Sequence, residues 1–142
     1  MSPHLFMLIG MVVIHLFGML PLMTYHMSDY YLSLNQFYMA LWMGLAMVIL
    51  EAFMHPMPKW AWMATIIGLV IVGYAIRKQL GVNWRQYIRD MIPHHSMALL
   101  TSTQLLDKQA NNIPANVKTL AENILDTQKL EIHEMKTILQ TT

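Results

Sequence analysis

The chain has 142 residues, of which 56% are apolar, and its mean hydropathy is +0.39. Nine Lys and Arg against eight Asp and Glu give a formal net charge of +1, and only 12% of the residues are charged, about half the usual share in soluble domains. Because no basic block is present, no nucleic-acid partner is expected. The absence of cysteine excludes disulfides, thiolate metal sites and a thiol nucleophile.

Three apolar segments in residues 1–78 are each long enough to cross a bilayer core, which needs roughly 17–25 apolar residues. They cover residues 5–23, 37–54 and 60–76, and aromatic residues gather at the junctions, as they do at the level of lipid headgroups. Only Asp29, Glu51 and Lys59 carry charge in the first 76 residues. We therefore predict three transmembrane helices with the lipid bilayer as their partner. The first segment is not predicted to be a cleaved signal peptide, because it lacks the basic region and the cleavage site of one.

Residues 83–142 are predicted to form a helical hairpin, which makes the fold all-α. Asn83 is a candidate N-cap with Gln86 three residues later, and a turn is expected at residues 109–115. A kink is expected at Pro93, which removes one hydrogen bond of the first hairpin helix. Two such helices cannot enclose a core, so the hairpin needs a second copy, the spans or another protein. A twofold dimer forming a four-helix bundle is the simplest arrangement.

The clearest signal for chemistry is the segment DMIPHHSM at residues 90–97. Residues three or four apart share a helix face, so Met91 lies beside His94 and His95, and Met97 follows one turn beyond His94. A thioether with two imidazoles is a soft donor set that suits Cu(I), although imidazole alone also takes Cu(II) or Zn. The alternative is a structural pair in which one imidazole packs and the other is solvated.

The second hairpin helix adds further candidates. Met135 shares an inward apolar stripe with Gln128 and Glu131, and these two polar side chains need partners because buried polar groups are hydrogen-bonded. We expect a residue of the facing helix to be the hydrogen-bond partner of these two side chains. His133 is a further candidate metal ligand, but it points away from the stripe, beside two lysines.

Methionines recur every four residues in the first two spans. Each series forms a continuous soft face over two or three steps, since four residues drift by only about 40° on a helix. Ionisable groups at membrane depth are functional candidates, so a metal path along the membrane competes with ordinary packing by methionine. The residues of this possible path are Met7, Met11, His15, Met19, Met39, Met43, Met47 and Glu51.

The motifs DMIPHHxxA at residues 90–98 and QxxEIxxMK at residues 128–136 resemble a known family. It is the ferritin-like helical family catalogued as domain of unknown function number three hundred and five. Its better understood members, of the CopM type, are extracytoplasmic copper-binding proteins. The segment NxFYMAxxMxxxMVIxE at residues 35–51 is similar to the membrane-anchored branch of that family. The chain departs from the pattern at Thr101, where members often carry methionine, and at Ala46, where proline is usual.

The resemblance implies copper as the cofactor and a particular set of residues around it. The implied copper-site residues are Met91, His94, His95 and Met135, with Gln128 and Glu131 as polar partners. The predicted protein is a membrane-anchored, methionine-rich copper-binding homodimer or higher oligomer, not an enzyme. It would sequester Cu(I) or pass it to a copper-handling partner, in copper tolerance or homeostasis.

Two other classes of function compete with copper binding. The first is a structural or assembly subunit of a larger membrane complex without a metal role. The second, a ferritin-like di-metal carboxylate enzyme, needs Glu-x-x-His motifs on two helices, which the hairpin lacks.

The distribution of Lys and Arg and the family resemblance predict opposite sides of the membrane for the hairpin. Lys and Arg residues near its start favour a cytoplasmic position. The family resemblance favours an extracytoplasmic hairpin on a bacterial inner membrane, and we adopt that placement as the prediction.

Overall fold

The computed structural model describes residues 2–109 and 112–141, and within these residues the protein is helical with no β-strand. A short 3₁₀ turn at Met27–Asp29 lies in the connection between the first two helices. The five helices are α1 (Pro3–Met23), α2 (Leu34–Met54), α3 (Lys59–Lys78), α4 (Trp84–Gln109) and α5 (Ala115–Thr141). The predicted fold class, three long apolar helices followed by a helical pair, is confirmed, whereas the dimer stays a prediction.

The first three helices are long and apolar enough to cross a membrane. α1 and α2 begin two or three residues earlier than the apolar runs, because serine side chains cap them. Ser2 Oγ accepts a hydrogen bond from the Leu5 N–H at 3.3 Å, and Ser33 Oγ accepts one from the Gln36 N–H at 3.1 Å. Each cap satisfies a backbone donor that has no partner inside the helix.

α1 is not a regular α-helix along its whole length. Residues Ile14–Met19 form a π-helical segment, two residues before Pro21. Proline has no N–H to offer the carbonyl four residues earlier, so the regular hydrogen-bond ladder cannot continue through this point. His15 lies in this segment, and in the described part of the chain its Nδ1 atom is buried without a hydrogen-bond partner.

α2 is the central helix of the three and packs against both α1 and α3. Gly44 lies close to α1, since a Cβ there would come within 2.8 Å of Leu8 Cδ1 and 3.1 Å of the Leu8 carbonyl oxygen. Glycine therefore permits a backbone approach that a side chain would obstruct. The buried residues of α2 are Gln36, Ala40, Gly44, Val48, Glu51 and Ala52.

The chain divides into two compact units. The span unit contains the residues up to Met19 together with Leu32–Gln86, and the hairpin unit contains Leu20–Tyr31 together with the residues from Tyr87 onward. The connection between α1 and α2 therefore groups with the C-terminal hairpin, although the sequence places it between two spans.

α4 begins as the sequence predicts. Asn83 Oδ1 accepts a hydrogen bond from the Gln86 N–H at 3.0 Å, which confirms the predicted N-cap. The reciprocal half of the capping box is not formed, because Gln86 Oε1 accepts a 2.8 Å hydrogen bond from the Leu34 N–H. Within the predicted turn at residues 109–115, residues 110 and 111 lie outside the described residues, and α4 and α5 end and begin on either side of them.

The hairpin unit has a small apolar core between α4 and α5. Its buried members are Ile88, Ile92, Leu99 and Ile132, and Tyr25 and Tyr31 from the α1–α2 connection pack against them. Pro93 is buried inside α4, which continues as one helix on both sides of it. The connection therefore contributes aromatic surface to a core that two helices alone would leave open.

Candidate metal centre on the helical hairpin

His95 on α4 faces Glu131 on α5 across the hairpin. His95 Nδ1 lies 3.0 Å from Glu131 Oε2, and the Gln128 side-chain amide donates a 3.2 Å hydrogen bond to the same oxygen. The expectation that a residue of the facing helix would supply a partner is confirmed for Glu131. Gln128 finds its partner within its own helix, at a spacing of three residues.

The Nδ1 atom of His95 is the ring nitrogen nearest to Glu131. The side chain is 18% exposed and Nδ1 is buried, and the 3.0 Å contact does not have the geometry of a hydrogen bond. In protein metal sites a carboxylate commonly lies beside one ring nitrogen of a histidine whose other nitrogen binds the metal.

The other predicted ligands of the hairpin differ in exposure. His94 is exposed, Met91 and Met97 are half-buried, and Met135 packs against the apolar core. Helical spacing places Met91 on the same face of α4 as His94 and His95. The two histidines therefore have different surroundings, one packed between helices and one in solvent.

The described residues contain no group of three or more His, Asp or Glu side chains placed to hold a metal ion. A site with only nitrogen and oxygen ligands is therefore not built within this part of one chain. A metal at His95 needs methionine sulfur or donors from a second copy of the chain. Of these donors, the methionine sulfur fits a soft cation such as Cu(I) better than a hard one.

His133 lies in different surroundings from His95. It is exposed and lines a hollow together with Lys129 and Lys136 of the same helix. Lys136 is paired with Asp29, but the ammonium group of Lys129 disfavours a metal cation because like charges repel at this range. The sequence-predicted orientation of His133, away from the inward stripe and beside the lysines, is confirmed.

Asp29 is a structural residue that the sequence analysis did not identify. It lies in the α1–α2 connection and is only 2% exposed. The Ser96 hydroxyl donates a 2.6 Å hydrogen bond to Asp29 Oδ2, and Lys136 Nζ forms an ion pair with Oδ1 at 2.5 Å. Ser96 Oγ in turn accepts a hydrogen bond from the Tyr25 N–H at 2.8 Å. This network fastens the connection to both hairpin helices.

The pKa of Asp29 is lowered although the carboxyl group is buried. Burial acts to raise the pKa, but the hydrogen bonds from Lys136 and Ser96 and the positive charges of Lys136 and His26 outweigh it. The carboxylate is therefore the stable form at neutral pH. A buried negative charge is held only where donors compensate it.

The methionines of α1 and α2 differ in their exposure. Met7, Met11, Met39, Met43 and Met47 are half-buried, and Met19 is exposed.

Glu51, at the end of the second series, is buried, and its Oε1 atom lies 2.9 Å from Nδ1 of the exposed His55. This contact gives Glu51 a local partner. The membrane metal path stays a prediction.

The fold and the site define a class of protein, in which three apolar helices precede a helical hairpin with a polar histidine–carboxylate contact. Residues 85–142 match the family described as Domain of unknown function (DUF305). The chain is also 34% identical to an uncharacterized protein of Acanthamoeba polyphaga mimivirus, over 97% of this chain and 91% of that protein. No solved structure matches the chain significantly. Residues 85–142 of the chain therefore form a DUF305 domain.

The two matches cover different parts of the molecule. The family match begins at residue 85 and so contains α4 and α5 without the α1–α2 connection. The similarity to the viral protein extends over the three apolar helices as well. Asp29 therefore lies outside the matched domain, while its partners Ser96 and Lys136 lie inside it.

Proposed function

We propose that this protein is a membrane-anchored copper-binding protein that carries Cu(I) on its helical hairpin. His95, His94 and Met91 are the first ligands of the proposal, and Met97 and Met135 are further sulfur donors. Copper is here the cargo that the protein sequesters or hands to a partner, as in copper tolerance or homeostasis. His133 leaves the proposed ligand set because of the ammonium group of Lys129 beside it.

The contact between His95 and Glu131 is the observation that carries this proposal. A carboxylate lies 3.0 Å from Nδ1, the position that a carboxylate commonly takes beside a metal-binding histidine. Gln128 fixes the same carboxylate oxygen from the other side.

The donor set also supports copper. The chain has 15 methionines, seven histidines and no cysteine. Thioethers are soft ligands that select Cu(I), and they remain usable where thiols would be oxidised. Because no three His, Asp or Glu side chains of the described residues converge, sulfur ligands are the donors that remain within one chain.

A second copy of the chain would complete both the fold and the site. The hairpin alone leaves Leu120 and Leu130 of α5 exposed, at 59% and 72%, and His94 of α4 in solvent. A twofold pairing of hairpins into a four-helix bundle would cover apolar surface of this kind. We therefore include a homodimer in the proposal.

The membrane and the side on which the hairpin lies are part of the proposal. The long apolar helices support embedding in a bilayer. A viral relative lends no support to a bacterial inner membrane in particular. The extracytoplasmic position follows from the resemblance to copper-binding relatives, against the count of positive charges near α4.

Copper content measured on the purified protein tests the function. The full chain would be purified in detergent from cells grown with added copper, and copper per chain would be measured by mass spectrometry of the digested sample. We expect the His94→Ala/His95→Ala double variant to retain about tenfold less copper than the wild type, and His133→Ala to retain as much.

Two outcomes would contradict the proposal. Equal copper in the wild type and the double variant would place the metal elsewhere. A metal-free wild type that always co-purifies with one partner protein would favour the structural or assembly subunit.

A further inference from the structure

A hollow of about 260 Å³ lies on the hairpin unit, apart from the contact between His95 and Glu131. At roughly 30 Å³ per molecule it has room for about nine waters, which is enough for a small polar headgroup. One wall is formed by the α1–α2 connection and the other by α5. The lining residues used below are Tyr25, His26, Asp29, Lys129, His133 and Lys136, and they define the cationic hollow.

The basic side chains of the hollow that belong to α5 form one row. Lys129, His133 and Lys136 are spaced by four and then three residues, so they share one face of the helix. His26 faces the hollow from the connection. Lys129 is exposed and forms no salt bridge within the part of the chain that the structure describes.

The one acidic side chain of the hollow is already compensated. Asp29 is 2% exposed and is bound by Ser96 and by Lys136. The negative charge of Asp29 is therefore paired inside the hairpin unit, and Lys129 is a formal positive charge with no salt-bridge partner among the described residues. A concave surface with an uncompensated ammonium group concentrates anions and repels cations.

The position of the hollow along the chain points to the membrane surface. Tyr25, His26 and Asp29 follow Met23, the last residue of the first apolar helix, by two to six residues. At about 3.3–3.6 Å per residue, these lining residues lie within about 20 Å of that helix end. A bilayer adds headgroup regions several ångströms thick to its core, so phosphate groups of lipids are within reach.

We propose that the cationic hollow binds a phosphate group, with Lys129 and His133 as its principal contacts. The headgroup of an anionic phospholipid and free inorganic phosphate share this chemistry. The apolar side chains of Leu99 and Ile132, which also line the hollow, suit the carbon atoms next to a lipid phosphate. This site is separate from the copper proposal, because cations are disfavoured where phosphate is favoured.

Lipid binding to the full chain tests the proposal. Delipidated protein in detergent would be titrated with phosphatidylglycerol and with phosphatidylcholine, and bound lipids would be counted by native mass spectrometry. We expect the Lys129→Gln/His133→Gln double variant to bind phosphatidylglycerol about fivefold more weakly than the wild type, on the scale of one exposed ion pair. Lys118→Gln is the matched control, since Lys118 is an exposed lysine of α5 outside the hollow.

A second arm distinguishes the two sources of phosphate. The melting temperature of each protein would be measured in detergent with and without inorganic phosphate, and the value without phosphate also shows that each variant is folded. A phosphate-induced rise in the wild type and in Lys118→Gln, but not in the double variant, would support the site with free phosphate as its ligand. The proposal is overturned if neither assay separates the double variant from Lys118→Gln.

Discussion

The Ser96 hydroxyl donates a 2.6 Å hydrogen bond to the carboxylate of Asp29, a residue 67 positions earlier in the chain. This contact joins the connection after the first apolar helix to the first hairpin helix. Lys136 on the second hairpin helix completes the ion pair. The hairpin domain of this chain is therefore a three-part unit in which the connection is a structural component.

Replacing Asp29 with asparagine should loosen this unit. The ion pair with Lys136 is lost, while an amide oxygen can still accept the hydrogen bond from Ser96. We expect the hairpin unit to lose about 2 kcal/mol of unfolding free energy, as for hydrogen bonds to charged groups. Faster amide hydrogen exchange in α4, α5 and residues 24–33 would measure the loss. Asp126→Asn, at an exposed site of α5, is the control and should leave exchange unchanged.

The carboxylate of Asp29 also makes the stability of the hairpin unit depend on pH. The pKa of Asp29 is lowered in the folded state. The ionised carboxylate therefore contributes its full stabilisation at any pH above the pKa of the unfolded state, about 3.9. This stabilisation is lost as the pH falls through the lower pKa of the folded state. The difference in melting temperature between the wild type and Asp29→Asn should therefore stay constant from pH 7 to about pH 5 and shrink below about pH 4. A difference that disappears between pH 7 and pH 5 would contradict the lowered pKa.

The helices of this protein could be predicted because their signals are local. The apolar runs predicted three helices, and the observed helix ends differ from the predicted ones by only a few residues. The N-cap at Asn83 could be predicted because its acceptor and donor are three residues apart. The extra residues at the starts of α1 and α2 come from Ser2 and Ser33. The hydroxyl oxygens of these serines cap the two helices, whereas a search for apolar runs does not include polar residues.

The role of Asp29 could not be predicted in the same way. Its partners Ser96 and Lys136 lie 67 and 107 residues away, and no periodic pattern links a connection to two distant helices. One signal was present, since Asp29 is among only three charged residues in the first 76 and stands beside Tyr30 and Tyr31. A lone charge among aromatic residues indicates that the charged group has a partner in the folded chain.

The packing of α1 against α2 should depend on glycine at one position. A methyl group at Gly44 would lie 3.1 Å from the Leu8 carbonyl oxygen, which the helix backbone holds in place. We expect Gly44→Ala to lower the free energy of unfolding by about 1–2 kcal/mol, as for overpacked cores. Gly10→Ala is the control, because a Cβ there meets nothing within 4 Å. Equal stability of the two variants in detergent, by thermal melting, would show that the close approach does not matter.

Glu131 should act on copper through His95 without being a ligand. Glu131→Gln keeps the size of the side chain but removes the charge 3.0 Å from His95 Nδ1. Loss of such a partner usually weakens metal affinity by about 10- to 100-fold. Competition with a Cu(I) chelator would measure this change, with the exposed Glu134→Gln of the same helix as the control. An affinity equal to that of Glu134→Gln would exclude a positioning role for Glu131.

The central claim is that soft donors on the hairpin hold Cu(I), and the most direct test is the Cu(I) affinity of the full-length protein in detergent, measured against a chromophoric chelator under reducing conditions. The account predicts that the wild type and His133→Ala compete equally well. It predicts that His94→Ala/His95→Ala competes at least about tenfold less well, since two nitrogen ligands are removed. Identical affinities for the wild type and the double variant would contradict it.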